Sequence, residues 1–368
     1  MAPEGKGKAV GSVIIGSGKS LPERVVTNDE LGQIVDTTDE WIVPRTGIHT
    51  RHIAVHETGT DLGAQASARA LGLEAGGWLR EEAIDPASID MVICPTLTAD
   101  AHFPSQAALI RERIGAVNAV CFDMSCACSG CVYGTSTADM LLLASATDRA
   151  AADTAGRSPR RNVLRRILVV ATERLSRLVD WTERETCILF GDGAGAVVME
   201  WRDDADGMLS SYMENTDDAD RVLWCDSAFC DRPLPFSAAS EDAAAAAAAL
   251  TCDPYMRMAG QAVFKFATSA MVRCIGEALD RAGLAPADIT LFAPHQANER
   301  IIRYAAKKMD LPMERFQVSI DHMGNVSGAS ALIALNEALV EGKLKQGDVA
   351  CMAGFGGGLT AGACVFRI

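Results

Sequence analysis

The sequence predicts an α/β layered fold with mixed sheets, built from two halves that repeat one pattern. Segment 86–95 is echoed by 286–294, and in both a proline-led turn runs into a short apolar strand. A glycine turn that leads into a β-rich segment also occurs twice, at 190–198 and at 355–366. Between these landmarks strands alternate with helical stretches, which is typical of layered α/β proteins.

The composition is that of a globular protein with a large core. The chain has 368 residues, of which 49% are hydrophobic and only 5% aromatic, while its 32 glycines suit close packing of helices on sheets. The formal net charge of -14 argues against nucleic acid as a partner, because phosphate binding depends on clustered Lys and Arg.

Cellular location follows from the apolar runs and the cysteines. No run of about 18 uncharged apolar residues occurs, so a membrane span is not expected. Residues 1–8 are polar and lack the apolar core of a signal peptide, which makes the cytoplasm the expected location. Most of the 12 cysteines lie in apolar runs, where a free cysteine packs as a small hydrophobic residue and disulfides are not expected.

The repeat also suggests where the two halves of the chain begin and end. We expect the first half to span residues 9–205 and the second 255–368, joined by a connecting segment at 206–254. Two stretches look inserted. Segment 148–166 is polar and rich in arginine, which indicates a surface loop, and segment 226–253 has an acidic, proline-containing start followed by an alanine run of low complexity.

Cys128 stands where a short apolar strand ends and a long Ala/Leu-rich helix begins. The free N–H groups and positive dipole end of a helix favour a thiolate over a thiol, and they can also hold an oxyanion. The second half has a comparable helix start at 325–329. Duplication would therefore place Cys128 and Asn325 at matching positions on two helices that point to one site. The residues alone leave open a nucleophile, a metal ligand or packing.

His295 is the candidate acid–base residue. It follows a predicted buried strand and precedes a predicted helix at 299–309, and the end of a strand holds a side chain rigidly. A lone histidine in that place is more often a core residue bonded to the backbone. The nearby segment 321–325, which ends in Asn325, favours a functional site.

Two groups of residues have spacings that raise the question of a metal. Cys126, Cys128 and Cys131 are close in sequence, but no second pair of Cys or His follows at the spacing of a zinc site. The three histidines of segment 49–56 would share a face only in a helix, whereas the segment reads as an extended loop. We expect no metal, with zinc at the cysteines as a minor alternative.

Seven segments resemble active-site motifs of the β-ketoacyl-ACP synthase III enzymes, members of the thiolase superfamily. They are, in chain order, 39–42, 45–48, 128–130, 190–195, 294–298, 324–327 and 355–358. The resemblance runs from about residue 10 to the C-terminus and is broken only by the two insertions. It implies a thiolase-like fold in which the duplicated halves form α-β-α-β-α layers with mixed sheets.

The resemblance implies a decarboxylating Claisen condensation that initiates fatty-acid synthesis. An acyl-CoA primer, acetyl-CoA or another short acyl group, would react with malonyl-ACP to give β-ketoacyl-ACP, CoA and CO2. Cys128 would carry the acyl group as a thioester. His295 and Asn325 would donate hydrogen bonds to the malonyl thioester oxygen, and the N–H groups of Cys128 and Gly357 would form an oxyanion hole. No cofactor is implied.

The resemblance also implies a binding site for CoA. Trp41 and Arg184 match positions that sandwich the adenine, and Arg45 matches one near the phosphates, which suits a planar stack and a cation. Phe264 and Asn298 match residues near the pantetheine tunnel.

The resemblance also implies an acyl pocket and an oligomeric state. Phe103 matches a residue that reaches across a dimer interface into the acyl pocket, so a homodimer is expected. Leu97 and Leu175 are expected near that pocket.

A basic stripe points to an acidic protein partner without help from the resemblance. Arg300, Arg303 and Lys307 fall on one face of the predicted helix, joined by Lys308, with Lys265 beside the expected mouth of the site. A solvated helix face is the usual meaning of such a stripe. Its position favours docking of an acidic carrier protein.

Two alternatives stay open. One is a specialised condensing or acyl-transfer enzyme of another pathway with a different primer. The other is a catalytically idle thiolase-fold partner subunit, against which the joint presence of Cys128, His295 and Asn325 argues.

Overall fold

The computed structural model describes residues 10–227 and 253–368. The strands are β1 (Gly11–Ser20), β2 (Val25–Thr27), β3 (Thr50–His52), β4 (Trp78–Leu79), β5 (Met91–Pro95), β6 (Val120–Met124), β7 (Arg166–Arg174), β8 (Asp192–Arg202), β9 (Met208–Asn215), β10 (Leu223–Trp224), β11 (Arg257–Met258), β12 (Leu291–Pro294), β13 (Val349–Gly356) and β14 (Thr360–Arg367). The helices are α1 (Asn28–Leu31), α2 (Asp39–Thr46), α3 (Gly59–Ala70), α4 (Gln106–Ile114), α5 (Gly130–Thr154), α6 (Arg184–Cys187), α7 (Gly260–Ala282), α8 (Glu299–Lys308), α9 (Ile320–Met323) and α10 (Ser330–Val340).

Two large sheets repeat one arrangement of strands. The first has the order β4-β1-β8-β7-β5-β6 and the second the order β12-β13-β14-β9. In the first sheet β5 is parallel to β7, which is antiparallel to β8, which is antiparallel to β1. In the second sheet β12, β13, β14 and β9 follow each other in the same directions. The predicted duplication and the mixed sheets are confirmed.

The helices form three layers around these sheets. Helices α3 and α4 cover the outer face of the first sheet, α7 and α8 cover the outer face of the second, and α5 and α10 lie between the sheets. Helix α10 is buried from Ser330 to Leu339 because sheets cover both of its sides, and its sequence lacks a charged face accordingly. Helix α8 buries only one face and exposes its basic one. These are the α-β-α-β-α layers that were predicted.

The segment at 148–166 is only partly the loop that was predicted. Helix α5 continues to Thr154, because the alanine-rich sequence has high helix propensity, and β7 begins at Arg166. The carboxylate of the buried Asp148 accepts hydrogen bonds from the backbone N–H groups of Arg160 (2.7 Å) and Arg161 (3.1 Å), which holds the remaining loop against the helix.

The segment expected to connect the halves, 206–254, contributes to the second sheet. It begins with β9, whose residues pair with those of β14, so this part is an edge strand rather than only a connection. Most of the insertion at 226–253, with its alanine run, lies outside the described residues. No helix within the ranges described is long and apolar enough to cross a membrane.

Candidate active site

Two turns that precede the middle helices meet at one place. Cys128 lies in a 3₁₀ turn, Ala127–Ser129, between β6 and α5, and a second 3₁₀ turn, Ser327–Ala329, leads into α10. The backbones of these turns are in close contact, because a Cβ built on Gly328 would lie 3.3 Å from the Cα of Gly130. The duplication therefore brings both helix starts to one site, as predicted.

The residues that match across the two turns differ from the prediction. Ala127 and Ser327 both have a φ of +46°, in the left-handed region that non-glycine residues seldom adopt. Their alignment places Cys128 opposite Gly328. Asn325 precedes its turn and so does not match Cys128 as expected, since the two turns share a backbone conformation that fixes their register.

A cavity of about 540 Å³ unites most of the predicted site. Its lining includes Cys128, His295 and Asn325. Predicted residues that also line it are Leu97, Leu175, Phe264, Asn298 and Gly357. Trp41, Arg45, Arg184 and Phe103 are not part of this lining. The wall is mainly apolar, which suits an acyl chain and the stem of a thioester.

The thiol of Cys128 is not the low-pKa group that its helix start predicted. Burial raises its pKa to about 12, and the nearby hydroxyl of Ser327 only partly opposes this effect. The side chain is 9% exposed, so the desolvation of a thiolate outweighs the helix dipole. The resting group is a thiol.

His295 is a buried, neutral imidazole. Burial lowers its pKa to about 3. Its Nδ1 lies 2.6 Å from the Oγ of Ser330, which also accepts the N–H of Gln296 at 3.1 Å. If the Ser330 hydroxyl donates its proton to Nδ1, the imidazole carries its own proton on Nε2.

Asn325 presents the donor end of its amide. The Oδ1 atom accepts the backbone N–H of Ser327 at 2.9 Å, which assigns the remaining nitrogen as Nδ2. Its backbone is fixed as well, since its N–H donates to the Leu189 carbonyl (2.8 Å) and its carbonyl accepts the Gly191 N–H (3.0 Å). Asn325 and His295 thus offer N–H donors in a cavity that also contains a thiol.

The glycine turn after β13 lies against the nucleophile. A Cβ built on Gly356 would lie 2.6 Å from the backbone nitrogen of Cys128, so only glycine allows this approach. Thr360, at the start of β14, fixes the turn, because its Oγ1 lies 2.9 Å from Ser129 Oγ and donates to the Cys126 carbonyl at 3.2 Å. Gly357, the predicted second oxyanion donor, follows Gly356 and lines the cavity.

The residues predicted to bind the CoA head group form a stack next to this cavity. The guanidinium carbons of Arg45 and Arg184 each lie 4.4 Å from the ring centroid of Trp41. Asn298 joins the stack to the cavity, because its Nδ2 donates to the Arg45 carbonyl at 2.9 Å while its Oδ1 caps α8 through the Arg300 N–H. Sequence reasoning did not foresee this capping role.

The three residues assigned to the acyl pocket differ in their surroundings. Leu175 is 2% exposed and Leu97 is 43% exposed, and both line the cavity. Phe103 is 88% exposed on the surface of the single chain.

The predicted basic patch is exposed on α8 and α7. Arg300, Arg303, Lys307 and Lys308 of α8 are exposed, and so is Lys265 of α7. Arg300 lies over the ring of Phe264, a cavity residue, with 5.3 Å between its guanidinium carbon and the ring centroid. The patch therefore reaches the cavity, and Arg303 forms an ion pair with Glu299.

Three polar residues near the cavity were not singled out in the sequence. Ser327 lies in the 3₁₀ turn before α10, Ser330 is the first residue of α10, and Glu173 is the next-to-last residue of β7, whose other residues are mostly apolar. A charged residue at the end of a buried strand was the available signal for Glu173. Within the two described ranges, no three His, Cys, Asp or Glu side chains lie together as metal ligands would.

The chain is similar to one protein family over most of its length. Residues 150–217 match the family 3-oxoacyl-[acyl-carrier-protein (ACP)] synthase III, and residues 279–368 match its C-terminal part. A beta-ketoacyl-[acyl-carrier-protein] synthase III of Xanthomonas campestris is 40% identical, with 98% of this chain and 99% of that protein covered. The Clostridium acetobutylicum protein of the same name is 37% identical, with coverages of 96% and 98%.

A solved structure agrees with this likeness. The crystal structure of 3-oxoacyl-[acyl-carrier-protein] synthase III from Aquifex aeolicus VF5 superimposes with a TM-score of 0.80 at 38% identity. The match covers 97% of this chain and 100% of that one. The insertions therefore leave the shared fold intact.

Proposed function

This chain belongs to the 3-oxoacyl-ACP synthase III family, and from that membership we propose how its residues perform the family's reaction. The enzyme is an acyltransferase that condenses an acyl-CoA primer with malonyl-ACP, releases CO2 and CoA, and so initiates fatty-acid synthesis. The assignment of each step to residues is the proposal.

The first step is acyl transfer to Cys128. The sulfur attacks the thioester carbonyl of the primer, and CoA leaves as its thiol. The oxyanion formed on the carbonyl oxygen accepts hydrogen bonds from the backbone N–H groups of Cys128 and Gly357. The close approach of the glycine turn to the Cys128 nitrogen supports this pairing.

The second step is decarboxylation of malonyl-ACP. Loss of CO2 leaves an enolate, whose negative charge lies largely on the thioester oxygen. The Nε2–H of His295 and the amide of Asn325 donate hydrogen bonds to that oxygen, and a neutral imidazole remains a donor without giving up its proton. The enolate carbon then attacks the acyl group on Cys128, whose thiolate leaves.

The substrates enter past α2 and α8. We assign the CoA adenine to Trp41 and Arg184, with Arg45 at the phosphates and Phe264 and Asn298 at the pantetheine. Arg184 already lies over the Trp41 ring, so adenine binding between them requires Arg184 to move away from the ring.

The protein partners are a carrier protein and a second copy of the chain. The basic patch of α8 with Lys265 provides positive charge for an acidic carrier on a chain whose net charge is -14. In a homodimer the exposed Phe103 would be covered and would reach the partner's acyl pocket, beside Leu97 and Leu175.

The reaction as assigned uses only side chains and substrates. Thioester exchange and decarboxylation need a nucleophile and hydrogen-bond donors, so we propose that no metal or redox cofactor takes part. A cytoplasmic location belongs to the proposal, because the acyl-accepting thiol must stay reduced.

One observation carries the assignment: Cys128, His295 and Asn325 line a single cavity although they come from different halves of the chain. The test is incubation with a panel of acyl-CoAs of graded length, with peptide mass spectrometry to locate any thioester. Malonyl-ACP is then added, and β-ketoacyl-ACP is measured. The absence of acylation at Cys128 with every acyl-CoA would refute its role as nucleophile.

A further inference from the structure

Formation of the Cys128 thiolate needs a proton acceptor that the condensation steps do not supply. The thiol is buried, and burial raises its pKa to about 12. The imidazole of His295 is held neutral, with its pKa lowered to about 3, so it is a weak base at neutral pH. A different group must therefore receive the thiol proton.

Glu173 is a buried carboxylate close to this site. It lies near the end of β7 and is 1% exposed. Its oxygens accept the Leu97 N–H (3.2 Å to each) and the Thr98 hydroxyl (2.7 Å). The adjacent Arg174 points to the other side of the strand and pairs with Asp100 at 2.7 Å. Two neutral donors therefore hold an uncompensated carboxylate in the interior.

Ser327 begins the 3₁₀ turn that packs both against β7, which carries Glu173, and against the turn that carries Cys128. Its hydroxyl is buried and makes no hydrogen bond of regular length and angle. It is nevertheless near enough to both groups to lower the pKa of Glu173 and the pKa of Cys128. The left-handed φ of Ser327 and the contact between the two turns fix it there. A hydroxyl that both donates and accepts can pass a proton between two such neighbours.

We propose that Ser327 and Glu173 form a proton relay that deprotonates Cys128 for acyl transfer; the inference rests on the proposed role of Cys128 as acyl acceptor. The S–H proton passes to Ser327 Oγ while the Ser327 O–H proton passes to the Glu173 carboxylate. The sulfur electron pair attacks the thioester carbonyl, and the C–S bond to CoA breaks. The proton on Glu173 returns through Ser327 to the CoA sulfur, so CoA leaves as its thiol with the proton that Cys128 gave up, and Glu173 and Ser327 return to their starting states.

The surrounding charges are compatible with a carboxylate that exchanges a proton near neutral pH. Burial raises the pKa of Glu173 to about 7, and the negative charge of Asp192 acts in the same direction. Glu173 also acts on the thiols of Cys94, Cys126 and Cys128, and the next residue of the strand, Arg174, is paired with Asp100. The carboxylate in turn raises the pKa of Cys128, so the thiolate is favoured once Glu173 is protonated.

The test is the pH dependence of Cys128 alkylation by iodoacetamide, followed by peptide mass spectrometry. In the wild type we expect the rate to rise through an inflection near the Glu173 pKa of about 7. In Glu173→Gln the rate near neutral pH should fall by about tenfold or more, and the inflection should move above about pH 9. A carboxylate that only repels the thiolate predicts the opposite, because its removal would speed alkylation. Alkylation at or above the wild-type rate in folded Glu173→Gln would refute the relay.

A second variant keeps the test decisive should Glu173→Gln unfold. Ser327→Ala breaks the relay and should show the same loss, and the φ of Ala127 shows that alanine tolerates this conformation. Ser136→Ala is the matched control, since Ser136 in α5 is also buried and lacks a regular hydrogen bond. It should keep the inflection of the wild type. A Ser327→Ala profile that matches this control would refute the relay.

The readout also separates the relay from the proposed function. Alkylation requires no acyl-CoA, so it reports on the thiol alone. A loss of alkylation in both variants, with no acylation of the wild type by any acyl-CoA, would support the relay and reject the primer assignment. Acylation of the wild type, with unchanged alkylation in the variants, would support the primer assignment and reject the relay.

Discussion

Lys19 of β1 and Glu337 of α10 form an ion pair that joins the first sheet to the middle helix layer. Glu337 also accepts hydrogen bonds from Ser319 and from His322, whose Nε2 lies 2.9 Å from its Oε1. These partners lower the pKa of Glu337 to about 2 against the opposing effect of burial, while hydrogen bonds to Asp321 and to Glu337 raise the pKa of His322 to about 9. One buried carboxylate thus holds two cations and a hydroxyl at this seam.

Glu337→Gln should destabilise the protein by about 3 kcal/mol, because it leaves Lys19 and the imidazolium without their buried counter-charge. The measurement is denaturant unfolding at several pH values. His322 stabilises the wild type fully below its ordinary pKa of 6.5, and that contribution is lost as the pH rises through about 9. Glu337→Gln should lose less stability over this interval. Equal pH slopes for the two proteins would contradict the assignment, and Glu341→Gln on the exposed end of the helix serves as control.

Cys128→Ala should abolish acylation and lower the condensation rate by about 1000-fold or more, because the covalent intermediate cannot form. Intact mass spectrometry after exposure to acyl-CoA is the measurement. Cys126→Ala is the matched control, since Cys126 lines the same cavity and is buried to the same degree. An acyl adduct that persists in Cys128→Ala and disappears in Cys126→Ala would transfer the role to Cys126.

Asn325→Asp should separate the two steps of the reaction. The carboxylate can still accept the Ser327 N–H, but it replaces the amide donor with a negative charge facing the enolate oxygen. We expect decarboxylation to slow by about 100-fold or more while acylation of Cys128 persists. Acyl-enzyme should accumulate in the mass spectrum after malonyl-ACP is added. Normal turnover of that acyl-enzyme would count against the role of Asn325.

Acid should destabilise the protein through His295. Its pKa in the folded state, about 3, lies below the ordinary 6.5, so unfolding takes up a proton in this interval. The stabilising contribution is complete above pH 6.5 and is lost as the pH falls towards 3, with about 2 kcal/mol lost by pH 5. His295→Asn should lack this component. Unfolding free energies of both proteins across the interval test it, and parallel curves would show that the imidazole is not buried as described.

Charge reversal on α8 should weaken the binding of the carrier protein without affecting the reaction with acyl-CoA. In the double variant Arg303→Glu, Lys307→Glu we expect the KM for malonyl-ACP to rise by about tenfold, with less dependence on salt, while acylation by acyl-CoA is unchanged. Lys345→Glu is the control, since Lys345 is exposed before the start of β13 and the cavity lies at the other end of that strand. A similar rise in KM in the control would indicate a general charge effect.

The sequence was sufficient for the features that depend on pattern. The two proline-led strands and the two glycine turns predicted the duplication because each half must bury the same apolar segments to form a sheet. Cys128, His295 and Asn325 could be named because each stands at the junction of a strand or turn with a helix. Such junctions place side chains at the edge of a sheet whatever the details of packing.

Features that depend on burial and on contacts between distant parts of the chain could not be predicted from the sequence. The helix start at Cys128 predicted a lowered pKa, whereas the depth of the thiol reverses the sign, and depth depends on how the second sheet covers it. The register between the two turns depends on the backbone conformation that Ala127 and Ser327 share. The ion pair of Lys19 could not be predicted either, because its partner Glu337 lies in the other half of the chain.

The meeting of the two turns has a consequence for folding. The turns Ala127–Ser129 and Ser327–Ala329 are far apart along the chain, so their contact forms only after both sheets exist and dock on the middle helices. Secondary structure should then return before the thiol environment does. In a refolding experiment, the slow alkylation that is typical of the buried Cys128 should therefore appear last. The alkylation rate of this one sulfur then reports when the fold is complete.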